Sequence, residues 1–490
     1  MAMNRGFTEE PSGDLPDHLA RVKSYVLSVG ESAVDIAVSI LALVIVGRFY
    51  GPEGMGVYTF LMSVFVIVVF LSEVGIDKWI EKELASEGQT DTSRMLAEAK
   101  GAVLLSGLAG CLAMLIFGAW ASKSPTVAGG TWPGFVLLAL AVPLNLRSGL
   151  QVSVLHGQGK PGEAARAGFV KRSVFLASVF TLAYLRFRPE LLMAGFVLSE
   201  AASLASARRR VRMPSIGAVL KRIRGVGETF RMGSQYYFTH EALKVLFFVD
   251  FFILGLFVSA TQEGSYAQAS VLARFFLLIP LGAAPLYRVK VYRASGSGQG
   301  EIFSDSARTA ARLFTLHSMA GLLFLLYFPH VLRVVFRVQG DTPVFFQVFS
   351  LLLPGLLLFA STLVLEPFFG ASGREEDLNR IALRVFILNA FLNSYLIPYA
   401  GVLGAATATT ISLSVYFVLF SRELGEIGTI PLGSYLLSGI LVYVSYHVLF
   451  PVQPYLFIVL PLVFVVLPVL FWVLGLFGQG QGKRQLRIES

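Results

Sequence analysis

Three basic side chains, Arg147, Lys244 and Arg274, stand inside runs of apolar residues. A cation there costs roughly 2.5–3.5 kcal/mol on insertion scales, so it faces a bundle interior or a pathway by default. Arg147 sits in PLNLRSGLQ, beside Asn145 and with Gln151 one turn on along the same helix face. Lys244 follows Glu241 by three residues and His240 by four, a spacing that also lets this cluster neutralise itself. Arg147 and Arg274 have no acidic residue within four positions, which favours an anionic substrate over a bundle partner for both. Guanidinium forks make bidentate, charge-assisted bonds to phosphate oxygens in a low-dielectric cavity, so a pyrophosphate head group suits this chemistry. Glu31 and Asp35, one turn apart, form an acidic pair that can carry protons, counter the arginines or simply pair within the bundle. Glu366 is a further carboxylate deep in an apolar run.

These groups need a scaffold that lipid can solvate. The chain of 490 residues is 55% hydrophobic and only 14% charged, with mean hydropathy +0.69, whereas a soluble domain carries about 25% charged residues. The net charge of +9 does not indicate nucleic acid, because the basic residues lie between apolar runs. Cys111 is the one cysteine, which excludes an intramolecular disulfide and a cysteine-based metal centre. The six histidines are scattered without ligand spacing, so no cofactor or metal is expected. GQGQGK near the C-terminus has neither a preceding strand nor a following Ser or Thr, and reads as a tail rather than a phosphate loop.

A helix needs about 20 mainly apolar residues to cross the hydrocarbon core, and about fourteen segments qualify. The first seven are Tyr25–Val46, Tyr58–Val74, Gly101–Trp120, Phe135–Leu155, Phe169–Leu185, Leu191–Ala207 and Tyr236–Val258. The second seven are Tyr266–Tyr287, Ala310–Phe328, Val344–Phe369, Ile381–Pro398, Val402–Phe420, Tyr435–Phe450 and Tyr455–Phe477. With the N-terminus inside, roughly 31 of the 40 Lys and Arg fall on inner segments and about 6 on outer loops, which places both termini in the cytoplasm. The polar N-terminal stretch lacks the layout of a signal peptide, so the first helix is expected to be retained. No outer loop exceeds about 15 residues, too little for an extracellular catalytic platform. The basic segment RRRVRMPSIGAVLKRIR is expected to lie on the inner leaflet as an interfacial helix, acting as topology anchor and linker.

The chain also resembles itself. Gly47, Phe49, Glu53, Gly54 and Tyr58 match Gly255, Phe257, Glu263, Gly264 and Tyr266, and Gly159-Lys160 answers Gly373-Arg374. The expected organisation is a tail (1–24), a six-helix N-lobe (25–207), the basic linker (208–227), a six-helix C-lobe (228–421), two added helices (432–477) and a tail (478–490). Parallel repeats of this kind build secondary transporters, with the substrate site near mid-membrane between the lobes.

GRFYGPEGMGVYTFL, LSEVGIDKWIEKELA and NSYLIPYAGVLGAATATTIS resemble signatures of the multidrug/oligosaccharidyl-lipid/polysaccharide exporter superfamily, and within it the Wzx-type polysaccharide flippases. ARFFLLIPLG is similar to a segment of the lipid II flippase branch and aligns Arg274 with its cavity arginine. The same resemblance implies an ion site at Asp250, Asn389, Asn393 and Thr409, with Asn393 standing where that branch has Asp. It implies an all-α flippase of the cell inner membrane, coupled to Na+ or H+. The substrate would be a lipid-linked oligosaccharide, with membrane lipids and glycan polymerase or glycosyltransferase partners and no nucleic acid. A drug or organic-cation exporter is the alternative within the superfamily, and would favour an acidic cavity. A membrane polysaccharide polymerase or ligase is a third reading, weakened by the short outer loops.

Overall fold

The structure, a computed structural model, describes residues 15–85, 92–123, 132–208, 210–211, 213–234, 241–277, 280–281, 291, 334–336, 343–372 and 374–424, without the side chains at 15–33, 35–36, 223, 241–244, 343, 371 and 375. Their regular structure is entirely helical, the outcome expected where lipid can satisfy no backbone group. Seven of the described helices are long and apolar enough to cross a membrane.

Two of those seven contain a reversal. α1 (Leu15–Glu73) is interrupted at Gly51, with φ 67°, and Pro52 follows immediately. Glycine tolerates that left-handed conformation and proline is preset for a first helical turn. A Cβ on Gly47 would lie 3.1 Å from Met55 Sδ, although eight residues of straight helix span about 12 Å. The chain therefore folds back at Gly51. The connection expected over residues 47–57 is a single-residue break, because both flanks stay helical to its edge. α13 (Glu375–Leu424) does the same at Gly401, φ 55°, where Gly404 meets the Leu396 carbonyl.

Between these hairpins run α2 (Ile76–Ala85), α3 (Thr92–Ala121), α4 (Trp132–Gly157), α5 (Pro161–Tyr184) and α6 (Ala194–Arg208). The basic linker follows as α7 (Ile216–Lys221) and α8 (Val226–Ser234), and then α9 (Glu241–Phe257), α10 (Ala260–Arg274), α11 (Pro343–Leu365) and α12 (Pro367–Ala371). The linker is two short helices rather than one, starting only after Pro214, where Ser215 caps α7 by accepting from Ala218 N at 3.3 Å. α10 begins six residues before the expected span because Ser259 and Gln262 form a reciprocal capping box.

Small residues bring the helices together. In α3 and α4, a Cβ on Gly107 would meet Pro143 Cα at 3.1 Å, one on Gly110 would meet Val142 at 2.9 Å and one on Gly118 would meet Phe135 at 2.6 Å. The pairing is antiparallel and in constant register. The repeated segments of the sequence pack on one another: Gly56 of α1 abuts the Ala260 carbonyl and Gly264 of α10 abuts the Pro52 carbonyl. The Gly-Lys/Gly-Arg match has a structural counterpart too, since Lys160 N bonds Leu155 O at 2.9 Å and Arg374 N bonds Phe369 O at 2.8 Å, the six-to-one closure of a helix C-terminus.

Candidate functional site

Among the described polar groups in the apolar core, three clusters join neighbouring helices. In the first, Asp250 of α9 is fully buried and accepts from the Tyr266 hydroxyl and from Phe251 N at 2.9 Å. The Arg274 charge acts on the same carboxylate. Arg274 also donates to Phe247 O at 2.8 Å, and its guanidinium lies 5.0 Å from the Phe247 ring centre and 5.2 Å from that of Phe251. This cation is held by a carbonyl and two aromatic faces. The charge of Asp250 lies one helix away, where sequence spacing along the helix of Arg274 does not reach.

Asn389 and Asn393 share a face of α13, joined by Asn393 Nδ2 to Asn389 Oδ1 at 3.0 Å, and Asn389 Nδ2 reaches Ser412 Oγ at 3.3 Å across the hairpin. That register, with Leu396 against Gly404, puts Thr409 level with Asn393. Thr409 Oγ1 lies beside the Tyr266 hydroxyl outside hydrogen-bonding geometry. Thr409 Oγ1 and Asn393 Oδ1 are both buried without a partner. Tyr266 thus bonds Asp250 and lies beside Thr409 without bonding it, while among the described residues no hydrogen bond joins Asp250 to the asparagines. Glu366 occupies the break between α11 and α12, where its charge acts on Tyr416. The side chains of Glu31, Asp35 and Lys244 lie outside the described residues.

The second cluster lies among α4, α5 and α6. Glu200, buried at 1% exposure, accepts from Asn145 Nδ2 at 2.7 Å and Ser148 Oγ at 2.6 Å, and pairs with Lys171 Nζ at 2.7 Å. Arg147, two residues from Asn145, points elsewhere, and its Nε is buried with no partner. Gln151, one turn on, is also buried, with Oε1 unpartnered. The third cluster is the seam between α1 and α10, where Thr59 donates to Glu263 at 3.2 Å and Glu263 Oε2 and both polar atoms of Gln268 have no partner.

Sequence reading missed Lys171, Glu200, Glu263 and Tyr266 as members of these clusters. Glu200 was visible as a carboxylate inside an apolar run, and Tyr266 only as a repeat match.

No family model matches the chain. The inward-facing form of a MATE multidrug transporter of the MOP superfamily superposes with TM-score 0.63 at 12% identity, covering 81% of this chain and 95% of that one. The lipid II flippase MurJ, in an inward closed conformation, superposes with TM-score 0.62 at 12% identity, covering 94% and 98%. The chain has the MOP transporter fold. In sequence it is 24% identical over 428 residues to the Haloferax volcanii protein Agl15, described as a low-salt glycan biosynthesis flippase, covering 82% of this chain and 85% of the relative. It is 22% identical over 409 residues to a Shigella flexneri protein described as an O-antigen transporter, covering 80% and 94%. On this MOP fold, the Asp250–Tyr266 bond and the Lys171–Glu200 pair join neighbouring helices, whereas Arg147 and Gln151 present unused hydrogen-bonding atoms.

Proposed function

We propose that the chain is a flippase that carries a polyprenyl-pyrophosphate-linked oligosaccharide across the cytoplasmic membrane by alternating access, for assembly of a cell-surface polysaccharide. The observation that carries this reading is the similarity to a glycan biosynthesis flippase and an O-antigen transporter over 82% and 80% of the chain. Sharing the MurJ fold over 94% of its length supports it. The work is translocation rather than bond chemistry. In this reading the chain has about fourteen helices in two six-helix lobes plus two, both termini in the cytoplasm, and glycosyltransferases and a polymerase as neighbours in the process.

The driving ion would act at Asp250. The buried, unpartnered oxygens Asn393 Oδ1 and Thr409 Oγ1 fit the oxygen ligands a hard cation takes. Asp250, Asn389, Asn393 and Thr409 would hold it, with the Tyr266 hydroxyl giving way, and its charge would bias one state of the cycle over the other.

An organic-cation exporter is the second reading, favoured by the MATE neighbours and opposed by Arg147, a cation whose Nε lacks an acceptor. Complementation decides between them. Expression in a bacterium deleted for its O-antigen flippase restores surface glycan in the proposed case. Drug resistance gained with no surface glycan supports the exporter.

A further inference from the structure

The constant register of α3 against α4 has a consequence for the charges near its inner end. Gly107 opposite Pro143 and Gly110 opposite Val142 bring Lys100 level with Gln151, about 6 Å below Arg147 along the helix axis. Lys100 is buried at 6% exposure, and its Nζ donates to Pro214 O of the linker at 2.6 Å. The charges that act on it are those of Arg147 and Arg208, both cations. Carboxylates of the neighbouring elements are already engaged: Glu98 by Arg94, Glu163 by Arg210 and Glu200 by Lys171.

The depth of this group is fixed by the linker. Val219 and Val226 pack on Gly101, next to Lys100. Ile216 and Leu220, one turn apart on α7, are 65% and 61% exposed amid Lys221, Arg222 and Arg224. A basic segment with an exposed apolar edge lies in the headgroup region. Lys100 therefore stands at headgroup depth and Arg147 one turn deeper. Two turns beyond Arg147 on the same face of α4, Leu140 is 54% exposed, an apolar wall facing the acyl layer.

We propose that Lys100, Arg147 and Arg208, with Gln151, form a binding site for the phosphate head of a lipid in the leaflet faced by the linker, and, resting on the flippase reading, that the occupant is the sugar diphosphate of a prenyl carrier. Three cations without a carboxylate match a diphosphate better than a singly charged phosphodiester. The unpartnered Arg147 Nε needs an acceptor, which a phosphoryl oxygen supplies, and the unpartnered Gln151 Oε1 needs a donor, which a sugar hydroxyl supplies. The prenyl chain runs up past Leu140.

The test is binding of radiolabelled farnesyl diphosphate to the purified full chain in phosphatidylcholine nanodiscs, with phosphatidylglycerol as competitor. Arg147→Gln and Lys100→Gln should each weaken binding roughly tenfold, as loss of a charge-assisted contact does, and Arg147→Lys should recover part of it. Each variant is scored only with an unchanged thermal midpoint, and Lys100→Gln stands in where Arg147→Gln does not fold. Binding indifferent to both substitutions overturns the site. Phosphatidylglycerol competing as well as the diphosphate assigns it to bulk anionic lipid and overturns the proposed occupant. Flipping by the wild type is measured separately. Variant-sensitive binding without flipping would reject the flippase reading and leave the site, and flipping with indifferent binding would reject the site alone.

Discussion

Gly264 lies directly against the carbonyl of Pro52, and Gly56 against that of Ala260, so α1 and α10 meet backbone to backbone with no room for a side chain on either glycine. The two contacts come from the sequence segments that repeat one another. Close approach of this kind replaces hydrophobic driving force inside a membrane, where lipid is as apolar as leucine.

Gly264→Ala is accordingly expected to destabilise the protein by ~1–3 kcal/mol, the usual cost of overpacking. Gly149→Ala has open space around the new methyl, and should be neutral or stabilise by up to ~1 kcal/mol through helix propensity. Thermal unfolding in detergent checks both. Equal midpoints for the two variants would show that the seam yields freely.

Asp250→Ala strands the buried Tyr266 hydroxyl without its acceptor and should cost ~1–3 kcal/mol. Asp250→Asn keeps an acceptor oxygen and should cost less. Equal thermal midpoints for the two variants would show that the Tyr266 bond is not what Asp250 contributes. Ion coupling is tested apart from stability by Thr409→Val, which removes an oxygen that has no hydrogen-bond partner. A sodium gradient should accelerate transport in the wild type and do so less in Thr409→Val. Rates indifferent to the gradient in both would leave the cluster as helix-to-helix hydrogen bonding.

How far such sites can be read from sequence depends on where the partner sits. The described spans overlap the apolar runs, and Gly401 falls in the expected gap between two of them. Arg274 is legible as a cation inside an apolar run, yet the carbonyl and rings that hold it belong to Phe247 and Phe251 on the preceding helix, and no periodicity connects them to it. Lys100 differs for another reason: the apolar run begins at Gly101 and leaves it outside, whereas α3 begins at Thr92 and carries it as a buried helical residue. Hydropathy locates the hydrocarbon boundary, not the helix end.

Lys171 and Glu200 give a contrast within one chain. Lys171→Met takes the counter-charge from a buried carboxylate that keeps Asn145 and Ser148 as donors, and with Lys171 itself 36% exposed the cost should be about 1–3 kcal/mol. Lys78→Ala, which removes the exposed pair to Glu81 at 3.1 Å, should cost no more than about 1 kcal/mol. Thermal midpoints that fall equally would mean that Glu200 is held by Asn145 and Ser148 alone.

Flipping itself is measured most directly in vesicles. The purified chain is reconstituted into liposomes carrying a fluorescent prenyl-diphosphate-linked oligosaccharide in both leaflets, and a membrane-impermeant quencher is added outside. The flippase reading expects the protected half of the fluorescence to become accessible at a rate that rises with protein content and falls in Arg147→Gln. Protection that persists in vesicles containing folded wild-type protein, with and without an imposed sodium or proton gradient, would contradict it.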